Sequence, residues 1–359
     1  MNSIIEDMEN SKIYIYGTGT FARQVLESCN KLGLKVEGFV DHIKNLNELG
    51  LNILSVDELP THNDVIVILG VCNLFGDLPK ISERIFSRNS SINVVTPVQF
   101  AKLCHLSGLL LENYWLSGNI EYLIQNNQKV LDVKNILSDA QSQDLFDQIV
   151  KYRIDGFVSD LPKPESLQDQ YLPSGLSTPP DLLNMLELGS FKGEDLKRFL
   201  GRSKNLEFAI CIEPDLENYI DLVTQVSELK NPNLFPLPVG AWNVTSQLKF
   251  ESNGQSDARV SEFAESSIMV IKMDELIGSR YINYIKMDIE GAEIPAIDGL
   301  KNTISKQNPH LAISVYHKPQ DILEIPLKIN EIAPGAYDFF MRVYGHQTFE
   351  TVLYCIPRG

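Results

Sequence analysis

The amino-acid sequence predicts an α/β protein with two doubly wound parallel sheets, a smaller one followed by a larger one. Each half of the chain opens with a short apolar run, a glycine-containing turn and a segment with helical spacing. Apolar runs without polar alternation, such as residues 64–70, are typical of parallel strands buried on both faces. Five prolines between residues 161 and 180 exclude a regular helix, so this stretch is predicted to link the two halves.

The composition is that of an acidic globular protein. With 359 residues the chain is long enough for about two domains. The net charge of −16 repels phosphate backbones and anionic lipid headgroups, so neither nucleic acid nor a membrane is an expected partner. The five cysteines form no C-x-x-C pair, which argues against a zinc site and a disulfide framework. No apolar run suits a signal peptide or a membrane span, and a cytoplasmic location is predicted.

The first 105 residues are predicted to form a small α/β domain. Gly17 and Gly19 lie in a turn between the first apolar run and a helical segment, and Asp41 ends the second apolar run. Strands separated by helices favour a parallel sheet with right-handed crossovers. The predicted strands cover residues 13–16, 35–41, 64–70 and 92–95.

Residues 106–178 are predicted to be a helical segment followed by the proline-rich linker. Residues 106–160 contain no proline, and their apolar residues recur at helix-like spacing. Residues 179–359 are predicted to form the second domain. Its predicted strands cover residues 182–188, 208–213, 234–239, 281–288 and 311–316, with a closing β-hairpin at 339–344 and 352–356.

The turn from Gly189 to Gly193 carries the first binding signal of the second domain. Glycines let a ligand approach the backbone, and the helix that follows offers N–H groups at its N-terminus. Glu213 ends the next predicted strand, where a carboxylate can accept two hydrogen bonds from a ribose diol. The pattern predicts a ligand that contains adenosine. It does not separate NAD from S-adenosylmethionine, and a turn that only serves packing is the simpler alternative.

The segment from Tyr284 to Glu293 holds three carboxylates within six residues. Asp288 falls at the carboxyl end of a predicted strand, where open α/β sheets bind ligands. Glu290 and Glu293 would share one face of a following helix. The group is compatible with a polar substrate or with a divalent cation held by Asp288 and Glu290. The simpler explanation is that both glutamates favour a helix N-terminus.

His317 follows the fifth predicted strand of the second domain. A histidine at this edge can act as a general base near neutral pH, although a lone histidine is more often structural. If His317 alone takes a proton from the substrate, activity should rise with pH through about 6.5. If a divalent cation activates the substrate instead, chelators should abolish turnover.

Several stretches between residues 170 and 357 resemble the FkbM family of methyltransferases. The most specific one runs from Tyr284 to Glu293, and the others are Gln170–Pro173, Glu187–Gly193, Ile212–Asn218, Ser314–Pro319 and Glu350–Tyr354. The resemblance implies a class I methyltransferase fold, in which a doubly wound Rossmann-like sheet ends in antiparallel strands. It also implies O-methylation by S-adenosylmethionine, often of sugars or of hydroxyls on secondary metabolites.

The resemblance implies roles for individual residues. It places Glu187, Gly189, Ser190 and Gly193 at the methionine end of the cofactor and Glu213 at its ribose. Glu187 replaces the aspartate usual in the family and conserves the charge. The acid expected to bind the adenine amine is absent, and Trp242 stands near that position, where its ring is predicted to stack on the adenine.

The residues after the fourth and fifth strands are assigned to catalysis and substrate binding. His317 is the predicted base, and Asp288 is either a second catalytic residue or a contact to the cofactor. Glu290 and Glu293 are predicted to face the substrate.

The first hundred residues resemble the small Rossmann-like N-terminal domains of sugar O- and N-acyltransferases, which bind nucleotide-sugars. The stretches that carry this resemblance are Gly17–Ala22 and Gly38–Asp41. The resemblance implies a nucleotide site at Gly17, Gly19 and Asp41. The alternative is a degenerate nucleotide fold used for packing or for dimerisation, and a homo-oligomer is compatible with the sequence.

The predicted function is S-adenosylmethionine-dependent O-methylation of a sugar, glycan or other small-molecule hydroxyl. The rival enzyme class, an NAD-dependent sugar-modifying oxidoreductase or epimerase, is disfavoured because no Tyr-x-x-x-Lys follows a nucleotide motif at suitable spacing. The rival without catalysis is a nucleotide-sugar-binding protein with an inactive second domain.

Overall fold

The computed structural model describes residues 8, 10–42, 50–62, 64–111, 113–116, 121–173, 175–176, 180–202, 205–252, 258–261 and 263–358. Residues 174 and 177–179 of the predicted linker therefore lie outside the described residues. The chain divides into two compact units. The first unit comprises Met1–Asn127, Asp144–Pro164 and Val343–Glu350, and the second comprises Gln128–Gln143, Glu165–Arg342 and Thr351–Gly359.

The first unit contains a five-stranded parallel sheet. Its strands are β1 (Lys12–Tyr16), β2 (Val36–Val40), β3 (Asn52–Leu54), β4 (Val65–Leu69) and β5 (Asn93–Val95). The order is β3-β2-β1-β4-β5: successive strands are added on one side of β1 up to β3 and on the other side from β4 onwards, so the strand order reverses between β1 and β4. Every residue of β4 is buried, as its unbroken apolar run predicts. The short edge strand β3 was not predicted.

Three helices flank this sheet: α1 (Thr20–Lys31), α2 (Leu78–Arg88) and α3 (Pro97–Leu106). Thr96 and Gln99 form a capping box before α3, and Pro97 occupies its first turn. Gly108, with φ of +76°, follows the end of α3. The amide of the next residue, Leu109, returns to the carbonyl of Cys104, which closes the last turn.

The helical prediction for residues 106–160 was too long. The described α-helices of this region are α4 (Tyr122–Gln125), α5 (Asn127–Ile136) and α6 (Ala140–Asp155). Helical spacing continues through residues 107–116, but the left-handed backbone at Gly108 ends α3 before it can extend through them.

The second unit contains two sheets. In chain order its strands are β6 (Leu183–Leu188), β7 (Leu206–Ile212), β8 (Leu234–Leu237), β9 (Gly240–Trp242), β10 (Ser246–Glu251), β11 (Arg259–Val260), β12 (Ser267–Lys272), β13 (Tyr284–Met287), β14 (His310–Ser314), β15 (Tyr337–Val343) and β16 (Thr351–Pro357). The larger sheet has seven strands in the order β15-β16-β14-β13-β6-β7-β8. Its strands β6, β7, β8, β13 and β14 pair in parallel, while β16 is antiparallel to β14. The predicted α/β class is thus confirmed.

The smaller sheet has four strands in the order β11-β10-β12-β9 and was not predicted. In β10, exposed residues alternate with more covered ones, so the sequence SQLKFE lacks the apolar run by which the other strands were recognised.

The helices of the second unit are α7 (Glu194–Arg202), α8 (Leu216–Leu229), α9 (Met273–Ile277), α10 (Glu293–Gly299), α11 (Lys301–Gln307) and α12 (Asp321–Ile332). In the part of the chain that the structure describes, no helix is both long and apolar enough to cross a membrane.

The register of the central strands defines the edge at which a site can form. Met287 of β13 lies opposite Leu188 of β6 and Ile313 of β14. The residues that follow these strands therefore emerge together at the carboxyl edge of the sheet, where open α/β folds bind ligands. Asp288, Gly189 and His317 all belong to these emerging loops.

Candidate active site

The turn after β6 brings its backbone against the loop after β13. Gly189 has φ of +79°, and a Cβ atom there would overlap the carbonyl oxygen of Asp288. Only glycine fits such a position. The amides of Gly189 and Ser190 both donate to the carbonyl of Ile212 at 3.0 Å, which fixes the turn against β7. The structure thus forms a turn after β6, where the sequence predicted one, with no room for a side chain at Gly189.

Glu187, the second-last residue of β6, is fully buried beside this turn. One carboxylate oxygen, Oε2, accepts a hydrogen bond of 2.8 Å from the hydroxyl of Ser190. The other, Oε1, is buried and has no hydrogen-bond partner among the residues that the structure describes. Burial raises the pKa of Glu187 to about 7, although the charge of Lys286 opposes the shift. A buried carboxylate with one oxygen unsatisfied is suited to a cationic or hydrogen-bonding ligand.

Glu213 lies directly after β7, as predicted, and is 6% exposed. Its two oxygens accept hydrogen bonds of 2.9 Å from the amides of Phe191 and Asp215. Each carboxylate oxygen retains a second lone pair for a ligand. Burial raises the pKa of Glu213 to about 7.

Trp242 ends β9, in the smaller sheet, and is half-buried. Its carbonyl oxygen packs so closely against Gly299 of α10 that a Cβ at Gly299 would overlap it. The predicted contact of its ring with adenine stays a prediction.

Asp288 and His317 face each other at the carboxyl edge of the larger sheet. The His317 Nε2 atom lies 3.2 Å from Asp288 Oδ1. The other Asp288 oxygen, Oδ2, accepts a hydrogen bond of 2.7 Å from the hydroxyl of Tyr171. Burial would raise the pKa of Asp288, but the hydrogen bond from His317 and the charge of Lys286 hold it well below its usual range. Asp288 is therefore ionised at neutral pH.

His317 is surrounded by carboxylates. Its Nδ1 atom lies 2.9 Å from Glu293, and its Nε2 atom lies 3.5 Å from Glu290 in addition to Asp288. Burial opposes the charged form, yet Glu290 and Glu293 raise the pKa of His317 well above its usual value. The imidazole therefore carries a proton at neutral pH. The predicted inflection near pH 6.5 moves upward for this reason.

Glu290 and Glu293 have different surroundings. Glu293 is fully buried in the first turn of α10, and its carboxylate accepts from the amide of Ile289 at 3.0 Å while pairing with His317. Glu290 is partly exposed and has a left-handed backbone with φ of +54°. Glu290 thus keeps part of its side chain exposed, whereas Glu293 is buried against His317. The predicted contact of Glu290 with a substrate stays a prediction, and the burial of Glu293 does not favour the same contact there.

The group of possible cation ligands in the structure differs from the predicted pair of Asp288 and Glu290. Among the described residues, ligand atoms of Asp288, Glu293 and His317 all lie within 4.8 Å of one another. Glu290 lies 3.5 Å from the same His317 nitrogen that Asp288 faces. Both ring nitrogens of His317 already face carboxylates, so a cation would have to displace a positively charged imidazole. The protonated histidine supplies the positive charge of this cluster, and a divalent cation is not proposed.

Two residues of the site were given no role by the sequence. Lys286 lies inside β13, is 2% exposed, and donates a hydrogen bond of 2.6 Å to the carbonyl of Gly189. It also lies 3.1 Å from Asp195. A lysine inside a buried strand requires partners, and that signal could have identified it. Tyr171 comes from the proline-rich stretch, and its place in Gln170–Pro173, one of the stretches that carry the family resemblance, is the signal that could have identified it.

In the first unit, the loops after β1 and β2 lie side by side. Gly17 has φ of +93°, and a Cβ there would touch Val71 at 3.0 Å, whereas a Cβ at Gly19 would meet nothing within 4 Å. The hydroxyl of Thr18 donates to Asp41 at 2.8 Å. The three predicted residues Gly17, Gly19 and Asp41 are thus neighbours at the carboxyl ends of β1 and β2.

Comparison with known proteins agrees with this geometry. Residues 196–341 match the family model described as the methyltransferase FkbM domain. The crystal structure of the methyltransferase FkbM from Methylobacillus flagellatus KT is similar to this chain, with a TM-score of 0.80 and 23% sequence identity over 99% of this chain and 94% of that chain. No curated protein sequence matches the chain significantly.

Other structural likenesses are weak. An rRNA methylase from Streptococcus thermophilus has a TM-score of 0.33 and 10% identity over 50% of this chain and 87% of that chain. Fibrillarin from Aeropyrum pernix, in complex with natively bound S-adenosyl-L-methionine, has a TM-score of 0.32 and 11% identity over 51% of this chain and 70% of that chain. Neither likeness carries an argument about function.

The fold and the matched sequence define a methyltransferase domain. More specifically, residues 196–341 form an FkbM methyltransferase domain, which confirms the resemblance over that range. The resemblance of the first hundred residues to sugar acyltransferases stays a prediction.

Proposed function

We propose that the protein is an S-adenosylmethionine-dependent O-methyltransferase whose acceptor is a hydroxyl of a sugar or glycan. The observation that carries the proposal is the buried Glu187 oxygen that has no hydrogen-bond partner among the described residues, beside Gly189, where no side chain fits. The segment that matches methyltransferases begins a few residues later, at residue 196. A buried carboxylate with a raised pKa is suited to the ammonium group of the cofactor's methionine part.

The proposed cofactor site runs along the carboxyl edge of β6 and β7. Glu187, Gly189, Ser190 and Gly193 hold the methionine end, and Glu213 accepts hydrogen bonds from the ribose hydroxyls. Trp242 is proposed to stack on the adenine, and Asp288 borders the methyl group.

S-adenosylmethionine supplies the methyl group from its positively charged sulfur. The chain's own contribution is to hold the acceptor oxygen in line with that methyl group, since positioning alone accounts for effective molarities of about 10⁵ M or more. We propose that Asp288 accepts the hydrogen bond of the acceptor hydroxyl and that His317, 3.2 Å away, receives the hydroxyl proton when it is in its neutral form, which it takes above its raised pKa. Glu293 keeps the imidazole oriented from the opposite side.

A polyhydroxylated acceptor is favoured by the exposed part of this cluster. Asp288 and Glu290 are the cluster carboxylates with partly exposed side chains. Two carboxylates at neighbouring positions can accept hydrogen bonds from adjacent hydroxyls, which suits a sugar better than an isolated alcohol.

The pH dependence of methylation tests the role of His317. Because the surrounding carboxylates raise the pKa of His317, its neutral, proton-accepting form dominates only above that raised value. Methyl transfer should therefore rise with pH through a value above 6.5. His317→Ala should be slower and should lose this rise, whereas a wild-type profile in His317→Ala would contradict the role.

Calorimetry and a radiolabel assay test the proposed function itself. The full-length protein should bind S-adenosylmethionine and not NAD. Tritiated methyl groups should then appear on at least one member of a panel of free sugars, nucleotide-sugars and oligosaccharides. Binding of NAD in place of S-adenosylmethionine would overturn the proposal.

We propose as a second function that the first unit binds a nucleotide or nucleotide-sugar near Gly17, Gly19 and Asp41. The strand order β3-β2-β1-β4-β5 is that of doubly wound folds, which bind ligands at the point where the strand order reverses. The first unit also includes residues 144–164 and 343–350, so the test uses the full-length chain. A nucleotide-sugar at 100 times its Kd should stabilise the protein by about 2.7 kcal/mol. An unchanged Tm with all common nucleotide-sugars would leave the packing role.

A further inference from the structure

Tyr171 occupies the centre of the candidate active site although it comes from the proline-rich stretch. Its side chain is 1% exposed, and its backbone has φ of +66°. A bulky residue in the left-handed region is strained, and such strain persists only where the surroundings over-determine the conformation. Two other tyrosines hold it: Tyr284 donates its hydroxyl proton to the carbonyl of Tyr171, and the hydroxyl of Tyr354 accepts from its amide at 3.0 Å.

The hydroxyl of Tyr171 serves the acceptor side of the site. It donates to Asp288 Oδ2 at 2.7 Å and lies 3.3 Å from the hydroxyl of Ser314. With Oδ2 held in this way, Oδ1 of Asp288 points at His317. The hydroxyl therefore selects one orientation of the Asp288 carboxylate.

The ring of Tyr171 serves the cofactor side. The Lys286 ammonium lies 5.0 Å from the centroid of this ring, within the range of a cation–π contact. The same ammonium donates to the carbonyl of Gly189 and pairs with Asp195. Because this interaction is buried, it contributes more than an exposed cation–π pair does. The ring thereby supports Lys286, which supports the glycine turn.

We propose that Tyr171 is a positioning residue that joins the two halves of the site, its ring holding the glycine turn through Lys286 and its hydroxyl holding Asp288 towards His317. The positioning role is argued from the contacts above. Only its consequence for methyl transfer rests on the proposed function. It also assigns a role to residues 165–173, which are part of the site and not only a connection.

Two substitutions at one position separate the two contacts. Tyr171→Phe keeps the ring over Lys286 and removes the hydroxyl from Asp288, whereas Tyr171→Leu removes both. Tyr337→Phe is the matched control, because Tyr337 is an equally buried tyrosine of the second unit whose hydroxyl has no hydrogen-bond partner among the described residues.

Hydrogen exchange of the cofactor-free, full-length protein, followed by mass spectrometry, reads the positioning directly. Tyr171→Phe should accelerate exchange in the loop of residues 288–292 and leave the turn of residues 189–193 as in wild type. Tyr171→Leu should accelerate both, and Tyr337→Phe should accelerate neither. Reference peptides from β10 and β12, in the smaller sheet, should be unchanged in all variants. Unchanged exchange at both loops, or an equal acceleration everywhere, would overturn the proposal.

Binding of S-adenosylmethionine, measured by calorimetry, adds the functional consequence. Tyr171→Phe should bind within about twofold of wild type, and Tyr171→Leu about tenfold more weakly. In Lys286→Met, adding Tyr171→Leu should cause little further loss, since both act through one contact. Full additivity of the two substitutions would contradict the coupling. If the wild type binds no S-adenosylmethionine but the local exchange pattern is found, the proposed function fails while the positioning role stands.

Discussion

The two units carry the same local pattern, a strand, a glycine turn and an acid at the end of the next strand, but the second unit adds a buried acid, Glu187, just before its turn. In the first unit, Asp41 accepts hydrogen bonds from the hydroxyl of Thr18, 23 positions earlier in the chain, and from the amide of His42. In the second unit, Glu187 and Glu213 are buried, and burial raises the pKa of each to about 7. Burying a carboxylate costs free energy unless a partner compensates it.

Asp41 and Glu213, the two acids at strand ends, are alike in that each of their carboxylate oxygens accepts a hydrogen bond. Glu187 differs from both, because one of its buried oxygens has no partner among the described residues. A hydrogen-bonding cation would offset the free-energy cost of that oxygen. For this reason we propose the cofactor site in the second unit.

The largest effect is expected from adding one methyl group to the second glycine turn. In Gly189→Ala, the new Cβ would overlap a backbone oxygen that cannot move aside, at a positive φ that costs roughly 1–2 kcal/mol for other residues. Binding of S-adenosylmethionine should fall below what calorimetry detects.

Gly19→Ala is the matched control in the first unit, because its Cβ would meet nothing within 4 Å. Circular dichroism should show that both variants fold. Wild-type affinity in Gly189→Ala would mean that the cofactor does not use this turn.

A smaller loss is expected from removing the acid that follows β7. Glu213→Ala should weaken S-adenosylmethionine binding by roughly 1.5–3 kcal/mol, or about 10- to 150-fold, through loss of charge-assisted hydrogen bonds to the ribose. Calorimetry on the folded variant measures it. Since Glu213 also accepts from two backbone amides, Glu213→Gln separates the loss of charge from the loss of these bonds. An unchanged Kd in both variants would place the ribose elsewhere.

The sequence predicted the parts of this site that depend on backbone periodicity. Asp288, Gly189 and Glu213 follow strands rich in apolar residues, so their common edge follows from the alternation of strands and helices. The smaller sheet was missed; in β10, exposed residues alternate with more covered ones, so no apolar run marks the strand.

The remaining parts depend on contacts distant in sequence. Tyr171 meets Asp288 across 117 positions, and no local pattern encodes such a contact. The protonation of His317 likewise depends on Glu290 and Glu293 converging on one ring. A histidine at a strand end predicts a titratable group, but only the tertiary fold decides the direction in which its pKa shifts.

The pH dependence of cofactor affinity sharpens the comparison between the units. A carboxyl group with a pKa of about 7 holds its proton below that pH, and a ligand that needs the carboxylate must displace the proton there. Between pH 6 and pH 7 the ionised fraction of Glu187 rises from about a tenth to about a half, so Glu187 alone should tighten the binding of S-adenosylmethionine about fivefold, in addition to any contribution from Glu213. Glu187→Gln should bind more weakly and lose the part of this slope that Glu187 contributes. An equal slope in wild type and Glu187→Gln would show that Glu187 does not titrate on binding.

The smallest effect is expected from the acid of the first unit. Asp41→Asn keeps a side-chain oxygen that can accept the hydrogen bond from Thr18 and removes only the negative charge of the carboxylate. Affinity for S-adenosylmethionine should stay within about twofold, because the proposed cofactor residues all belong to the second unit. The same variant should lose any thermal stabilisation by nucleotide-sugars, since the carboxylate is the proposed acceptor for a ribose diol. Thermal melts of wild type and variant, with each ligand separately, measure both effects. A variant that loses S-adenosylmethionine affinity while keeping the nucleotide-sugar response would reverse the assignment of ligands to the two glycine turns.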